Sequence, residues 1–205
     1  MDTGTGRGVA FVAFGATAER EYQQSVVSLL DWTPLPVVRA PAPKVPGTSE
    51  WTNSQRARWA KLAVLEWTPQ AWEQVLYLDA DTRVRDGLSA GFGMLDDGWE
   101  LVITASENQG EDWLWHVSEA EREETRALFG ADVLQLQGGM FFLARNERTQ
   151  ALMEAWQEEW GLYRDQDQGA LLRALRRVPV KVWLLGRPWN GGAVVEHRFG
   201  MCRRG

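Results

Sequence analysis

The sequence of 205 residues predicts an α/β fold in which helices flank a mixed, mostly parallel sheet. The first observation is that short apolar runs rich in β-branched and aromatic residues alternate with longer segments of helical periodicity. The second is a content of 44% hydrophobic and 24% charged residues, which is ordinary for a globular protein. A chain of this length can build one sizeable core, so we expect a single domain over 1–205, with a flexible tail at 1–7.

Seven segments are predicted to be strands because each holds a short apolar run that is too short for a core helix. In chain order they are 8–14, 36–39, 75–78, 100–104, 139–144, 180–184 and 194–197. Two stretches between the predicted elements are expected to be loops. The first, 41–52, holds three prolines and little periodicity, and the second is 106–117.

Six longer segments have the apolar spacing of helices. In chain order they are 17–31, 54–67, 89–95, 118–129, 147–162 and 166–176. Residues that can accept a bond from the free N–H groups of a first turn support three of these starts. Thr17 is the expected cap of the first helix, and Asn53 or Ser54 that of the second. Ser118 with Glu121 matches a capping box.

The charge, the apolar runs and the cysteine content indicate which partners and which compartment to expect. The net charge is −6 and no block of basic residues occurs, so electrostatic capture of nucleic acid or of an anionic membrane is not indicated. The apolar run 9–14 is too short for a signal segment or a membrane span. A single cysteine, Cys202, excludes an internal disulfide. We therefore expect a cytoplasmic protein without a membrane span.

Two aspartates, Asp79 and Asp81, end the apolar run 75–78. Open α/β sheets bind ligands at the carboxyl ends of their strands. Two carboxylates placed together there would repel each other, so a cation is the natural third participant. Mg²⁺ and Mn²⁺ take oxygen ligands and bridge carboxylates to phosphates. The pattern therefore predicts a divalent-metal site that holds a diphosphate.

Other interpretations of these aspartates stay open. They could lie in a solvated turn, where aspartate is common. Apolar-strand-DxDxT also resembles the signature of haloacid-dehalogenase-type phosphatases, and Thr82 fits it. That family usually opens its fold with the motif, whereas 78 residues precede Asp79 here and no later GDxxxD pair occurs. A calcium loop is excluded, because Arg83 and Val84 stand where a further oxygen ligand and a glycine are needed.

Four further groups of residues could carry chemistry, and each has a plain structural alternative. His197 ends an apolar run and is either structural or a third metal ligand. Asp167 and Gln168 open a helix, where aspartate also caps. Gly138 and Gly139 either form a plain turn or allow a ligand to approach the backbone closely. Arg58 and Lys61 share a helix face, and the structural alternative for this pair is an ordinary solvated face.

The order of these groups resembles the GT-A glycosyltransferases, most closely the glycogenin-like family 8. The match includes the LYLDADT-type run ending in Asp79-Ala80-Asp81-Thr82 and the later Trp189-Asn190 element. The segment from His197 through Gly200 to Arg203 is similar to the family's HxxGxxK signature, with arginine in place of lysine. The resemblance spans nearly the whole chain.

This resemblance implies a glycosyltransferase that moves a sugar from a nucleotide-diphosphate donor, expected to be a UDP-sugar, to the hydroxyl of an unknown acceptor with retention of configuration. Asp79, Asp81 and His197 would hold Mn²⁺ or Mg²⁺. Asp167 and Gln168 would act in catalysis beside the donor sugar. Further residues would contact the nucleotide-sugar or its metal: Ala13, Gly15, Tyr22, Lys61, Ala80, Gly138, Gly139, Gly200 and Arg203. Of these, Lys61 and Arg203 would add positive charge at the diphosphate.

Two alternatives on a related scaffold also remain. A non-catalytic domain that binds nucleotide-sugars or carbohydrate is one, but nothing in the sequence favours it, since all three potential metal ligands are present. A nucleotide-sugar pyrophosphorylase would need a glycine-rich N-terminal loop, which 13–17 matches poorly. The polar stretch 107–137 carries Trp113 and Trp115. We expect it to be a flap over the donor sugar with at least one tryptophan facing the acceptor, the alternative being that both are core residues.

Overall fold

The computed structural model describes residues 6–42, 50–107, 109–110, 113–130 and 133–200. Most of the tail predicted at 1–7, and the central part of the loop predicted at 41–52, lie outside these ranges. The strands are β1 (Arg7–Val12), β2 (Val37–Arg39), β3 (Gln74–Asp79), β4 (Thr82–Val84), β5 (Leu101–Ala105), β6 (Leu136–Ala144), β7 (Val182–Leu185) and β8 (Val195–His197). The helices are α1 (Ala16–Leu30), α2 (Asn53–Leu62), α3 (Val64–Trp67), α4 (Ser89–Asp96), α5 (Glu119–Phe129), α6 (Glu147–Tyr163) and α7 (Gln168–Arg177).

The central sheet has six strands in the order β2-β1-β3-β6-β5-β7. Strand β6 is antiparallel to both of its neighbours, and the other five strands run in one direction. The predicted mixed, mostly parallel sheet is therefore confirmed. Because β6 is reversed, its amino-terminal half lies at the same edge of the sheet as the carboxyl ends of β1 and β3. This edge carries the functional residues described below.

Helices cover both faces of the sheet, as the sequence predicts. In β1, Val9 and Phe11 face one core, while Ala10 and Val12 face the other, in agreement with the two-residue period of a strand. Helices α1 and α4 complete the first core, and α2, α3, α6 and α7 complete the second. Burying one large apolar side chain contributes about 1.5–3 kcal/mol, so both faces hold the sheet in place.

A second, two-stranded sheet pairs β4 with β8 in antiparallel register. Sequence analysis did not predict β4, because a three-residue strand containing arginine has no apolar run. The buried Arg83 of β4 pairs with Glu21 on α1, and Thr82 Oγ1 lies 3.1 Å from Ser25 Oγ of the same helix. These contacts fix the small sheet against α1. The register places Thr82 opposite His197 and so brings His197 beside the aspartates of β3.

Two predicted helix starts are wrong. Helix α1 begins at Ala16 after Gly15, whose φ of 93° favours glycine, and no side chain caps it; Thr17 already lies in the first turn. Helix α2 is capped by Thr52, with Gln55 completing a capping box, in place of Asn53 or Ser54. The single helix predicted over 54–67 is interrupted at Ala63 and continues as α3.

The third predicted cap is confirmed, since Ser118 accepts a bond from the Glu121 backbone N–H at 3.3 Å. Among the described residues, no helix combines the length and the apolar composition needed to cross a bilayer.

Candidate functional site

A cavity of about 1120 Å³ opens at the edge of the sheet where β1 and β3 end. Its lining comes from the loop after β1, from α2, from the ends of β3 and β8, and from the segments before β6 and α7. The predicted site residues that line it are Gly15, Lys61, Asp79, Ala80, Asp81, Asp167, Gln168, His197 and Gly200. Residues from widely separated parts of the sequence therefore meet in one cavity, at the position expected for a ligand in an α/β fold.

Three potential metal ligands form a cluster at this cavity. Ligand atoms of Asp79, Asp81 and His197 all lie within 4.8 Å of one another. His197 Nε2 lies 3.3 Å from Asp81 Oδ1 and 3.7 Å from Asp79 Oδ2. The geometry depends on the small sheet, because β8 ends at His197 and the Arg198 backbone N–H donates to the Asp81 carbonyl oxygen at 2.9 Å.

The orientation of the imidazole suits a metal ligand. Asn190 Oδ1 lies 3.0 Å from His197 Nδ1. An amide oxygen only accepts, so Nδ1 carries the proton and Nε2 presents its lone pair in the neutral ring. Two carboxylates and this lone pair then converge, which is unfavourable unless a cation lies between them. One imidazole and two carboxylates fit a divalent ion such as Mn²⁺ or Mg²⁺.

Asp79 sits among strong electrostatic neighbours. Tyr77 donates its hydroxyl to Asp79 Oδ1 at 2.8 Å, and Lys61 Nζ lies 3.9 Å from the same oxygen. Burial raises the pKa of Asp79 above its ordinary value; Lys61 and His197 oppose this, while Asp81 and Asp167 add to it. A second positive charge in the cluster would therefore stabilise the ionised carboxylate.

Gly139 makes room for Asp79 and His197 to approach each other. A Cβ at this position would overlap His197 Cε1 and lie 2.7 Å from Nδ1 and 3.0 Å from Asp79 Oδ2. At Gly138 a Cβ would lie 3.3 Å from Lys61 Nζ and 3.4 Å from the Asp167 carboxylate. Both glycines fall where the pairing of β5 with β6 shifts register. Neither lines the cavity, so in the structure they make room for site side chains.

Asp167 occupies the N-cap position of α7, but its side chain makes no capping bond. Its carboxylate pairs with the buried Lys61. Burial favours the neutral acid, but Lys61 and Arg58 outweigh it and lower the pKa of Asp167. Lys61 also donates to the Gly138 carbonyl oxygen at 3.1 Å. The capping interpretation is therefore wrong for the side chain, which is held ionised near Asp79 by Lys61.

Other predicted residues are placed differently. Ala13 lines a smaller neighbouring cavity of about 370 Å³, which Gly15 also lines. Tyr22 lines neither cavity; its ring packs edge-on against Phe11 and beneath the guanidinium of Arg39. Arg203 lies outside the described residues.

Several lining residues were not expected in the site. Arg58, expected to be on a solvated helix face, lines the cavity and donates to Gln166 Oε1 at 2.7 Å. Tyr77 lies two residues before Asp79 and so shares its face of β3, a signal that the strand period offered. His116 has no flanking pattern that marks it.

The two tryptophans of the predicted flap have different environments. Trp113 is 1% exposed and belongs to the core that covers one face of the sheet. Trp115 is 59% exposed and lines the cavity. Trp113 is therefore a core residue and not part of a flap. Trp115 faces the cavity, as expected for at least one of the two.

No protein-family model and no curated protein sequence matches the chain. Solved structures do match it. Mouse xyloside xylosyltransferase 1 is 14% identical with a TM-score of 0.57, and the match covers 90% of this chain and 86% of that one. The galactosyltransferase LgtC, solved with donor and acceptor sugar analogs, is 16% identical with a TM-score of 0.53, over 87% and 73% of the two chains.

A third match is a glycosyltransferase involved in glycosylation of the major capsid of PBCV-1. It is 13% identical with a TM-score of 0.57, and the match covers 95% of this chain and 94% of that one. At these identities the likeness shows the fold. The chain has the GT-A fold of these enzymes.

Proposed function

We propose that this protein is a metal-dependent glycosyltransferase, similar to family 8, that transfers a sugar from a nucleotide-diphosphate donor, with UDP the expected nucleotide, to a hydroxyl group of an acceptor. The observation that carries the proposal is the cluster of Asp79, Asp81 and His197 in the large cavity of a GT-A fold. The matched structures named as glycosyltransferases support the same reaction class.

In the proposed reaction, the bond between the anomeric carbon of the sugar and the diphosphate oxygen breaks. A new bond forms to the acceptor oxygen, and the hydroxyl proton leaves with the nucleotide diphosphate. Asp79, Asp81 and His197 would hold Mn²⁺ or Mg²⁺, whose chemistry is to neutralise the charge that develops on the leaving diphosphate. The cationic side chains of Lys61 and Arg58 on the cavity wall add to this.

Asp167 is suited to act at the sugar. Lys61 keeps its carboxylate ionised in a buried position. A fixed negative charge there stabilises the positive charge that develops on the sugar ring as the glycosidic bond breaks. Gln168, the next residue, also lines the cavity and can hydrogen-bond sugar hydroxyls. Retention of anomeric configuration follows from the resemblance to family 8 and is proposed on that ground.

The nucleotide would lie at the opposite end of the cavity, toward the loop after β1. Gly15 lines both this cavity and the smaller one that contains Ala13. The base is therefore proposed to bind near these residues. The GT-A fold does not support the phosphatase interpretation of Asp79 and Asp81, and among the described residues no contact favours it.

Calorimetric titration with UDP tests the proposal, in buffer with Mn²⁺ and in buffer with EDTA. Binding should require the metal, and Asp81→Asn should weaken it by about a hundredfold or more, since second-sphere changes alone cost 10–100-fold. The exposed Asp97→Asn is the matched control and should bind as the wild type does. Equal affinity with EDTA and Mn²⁺ would contradict the proposal. Metal-dependent hydrolysis of a panel of UDP- and GDP-sugars would then identify the donor.

A further inference from the structure

The turn that carries Trp113 and Trp115 divides its side chains between two environments. Trp113 and Leu114 are buried, whereas Trp115 and His116 line the cavity. All twelve tryptophans lie in the described part of the chain, and three are more than one-third exposed: Trp32, Trp115 and Trp183. Of these three, Trp115 alone lines the cavity. An indole left 59% exposed on the cavity wall is available to a ligand.

The backbone of this turn is strained. Leu114 has a φ of 51°, in the left-handed region that a branched side chain rarely adopts. The Leu114 backbone N–H donates to Gln135 Oε1 at 2.7 Å, and Leu114 is fully buried, so the conformation is held by the surrounding structure. Strained backbone of this kind is retained mainly at functional sites. Here it directs the two following side chains into the cavity.

His116 joins this turn to the start of α7. Its Nε2 lies 3.0 Å from Gln168 Oε1, and its ring packs edge-on against Trp115 at 5.6 Å between centroids. With the Gln168 oxygen accepting from His116, the amide nitrogen of Gln168 is directed elsewhere and can donate. The exposed indole is therefore fixed beside Gln168 and Asp167, which are placed at the donor sugar in the proposed function.

The composition of the cavity indicates the class of ligand. A flat apolar ring surrounded by hydrogen-bonding groups matches a pyranose, which has a C–H face and a hydroxyl rim. Five carboxylates line the cavity: Asp79, Asp81, Glu107, Asp165 and Asp167. Among the residues that the structure describes, Arg58 and Lys61 are the cationic side chains that line it, and Lys61 is already paired with Asp167. This excess of negative charge disfavours an anionic acceptor.

The cavity is slightly larger than a typical pocket for one ligand. Pockets for a single drug-sized ligand are roughly 300–1,000 Å³, whereas this cavity is about 1120 Å³. We propose that Trp115 and His116 form the acceptor subsite, which binds the pyranose ring of an uncharged saccharide by stacking on the Trp115 indole. The proposal rests on the proposed function, because it assigns the other end of the cavity to the donor.

The test measures binding of uncharged disaccharides (lactose, cellobiose, maltose and xylobiose) by saturation-transfer NMR and calorimetry in the presence of Mn²⁺ and UDP. The wild type should bind at least one of them. Trp115→Ala should weaken that binding about tenfold, equivalent to about 1.4 kcal/mol. Trp115→Phe, which keeps an aromatic face, should recover most of it. Trp32→Ala removes a comparably exposed indole outside the cavity and should bind like the wild type.

Affinity for UDP with Mn²⁺, measured on the same samples, separates this proposal from the proposed function. It should be equal in all four proteins, and its absence in the wild type would overturn the function itself. With UDP binding intact, three results would overturn the acceptor subsite alone. These are no disaccharide binding to the wild type, equal binding by Trp115→Ala, and an equal loss in Trp32→Ala. A sialylated lactose that binds more tightly than lactose would overturn the assignment to an uncharged sugar.

Discussion

At the residue scale, two adjacent glycines have different consequences for the site. A methyl group on Gly139 has no room, because it would overlap the His197 ring and press on Asp79. A methyl group on Gly138 would lie 3.3 Å from the end of the Lys61 side chain, and so needs a shift of only a few tenths of an ångström. The space beside His197 is therefore part of what allows three ligand atoms to converge.

We expect Gly139→Ala to lower Mn²⁺ affinity by more than tenfold, because the added methyl group displaces the His197 imidazole from the carboxylates. Gly138→Ala is the matched control and should change the affinity by less than about threefold. Both affinities can be measured by calorimetry, with circular dichroism to compare folding. If the two variants bind Mn²⁺ equally well, the close packing of His197 against β6 is not needed for the metal site.

At the scale of elements, helix α2 places two cationic side chains on the cavity wall. Arg58 and Lys61 project from it, and its start is fixed by the reciprocal bonds of Thr52 and Gln55. The helix ends at Ala63, which separates it from α3. At its other end, the capping box of Thr52 and Gln55 is the local interaction that fixes where α2 begins.

Thr52→Ala should therefore destabilise the protein by about 1 kcal/mol, the usual cost of losing an N-cap. Thr17→Ala is a matched control, since Thr17 has the residue type of a cap but lies inside the first turn of α1. It should cost less than about 0.5 kcal/mol. Urea unfolding of both variants measures the difference. A larger loss in Thr17→Ala would show that the assigned cap is wrong.

These elements also show what the sequence could reveal. Periodicity located β1, β3, β5 and α6 to within a residue or two, because their apolar patterns are long and regular. It missed β4, whose three residues are stabilised by Arg83 pairing with Glu21 and not by an apolar run. The cap of α2 was misplaced by one or two residues, since threonine, asparagine and serine are adjacent at 52–54 and only the backbone path selects one.

The site divides in the same way. Asp79, Asp81 and His197 were found because carboxylates at a strand end and a solitary histidine carry a chemical pattern. The pairing of Asp167 with Lys61 could not be found from spacing, because it joins residues 106 positions apart, one on α2 and the other at the start of α7. Trp113 is buried and Trp115 is exposed, although only Leu114 separates them. The chain turns at Leu114 with a φ of 51°, and no sequence pattern specifies that angle.

At the scale of the whole molecule, a buried ionic network joins the helices on one face of the sheet. Arg173 of α7 contacts Glu121 of α5 at 3.2 Å and Glu159 of α6 at 2.9 Å. Burial raises the pKa of Glu121 from 4.5 to about 7, although Arg173 opposes the shift. Between about pH 4.5 and 7, the folded protein therefore holds a proton on Glu121 that the unfolded chain would release.

This shift predicts a dependence of stability on pH. Because the folded pKa lies above the unfolded one, the contribution of Glu121 is complete below about pH 4.5 and is lost as the pH rises through about 7. Each pKa unit corresponds to about 1.4 kcal/mol, so the loss between pH 4.5 and about 7 is at most about 3–4 kcal/mol. Urea unfolding between pH 4.5 and 7.5 should show this decline, and Glu121→Gln should flatten it. The exposed Glu123→Gln is the control, and equal slopes in both variants would contradict the assignment.

The pairing of β4 with β8 determines when the three potential metal ligands come together. The six-stranded sheet and the two aspartates are complete without 195–197, but the histidine ligand arrives only when β8 docks. A cation bound by the two aspartates and by His197 would therefore stabilise the docked position of β8. At 100 times its dissociation constant it would favour the docked state by about 2.7 kcal/mol. Hydrogen exchange should then slow most in β8 when metal is added, because bound metal ties the docking of this strand to the aspartates of β3.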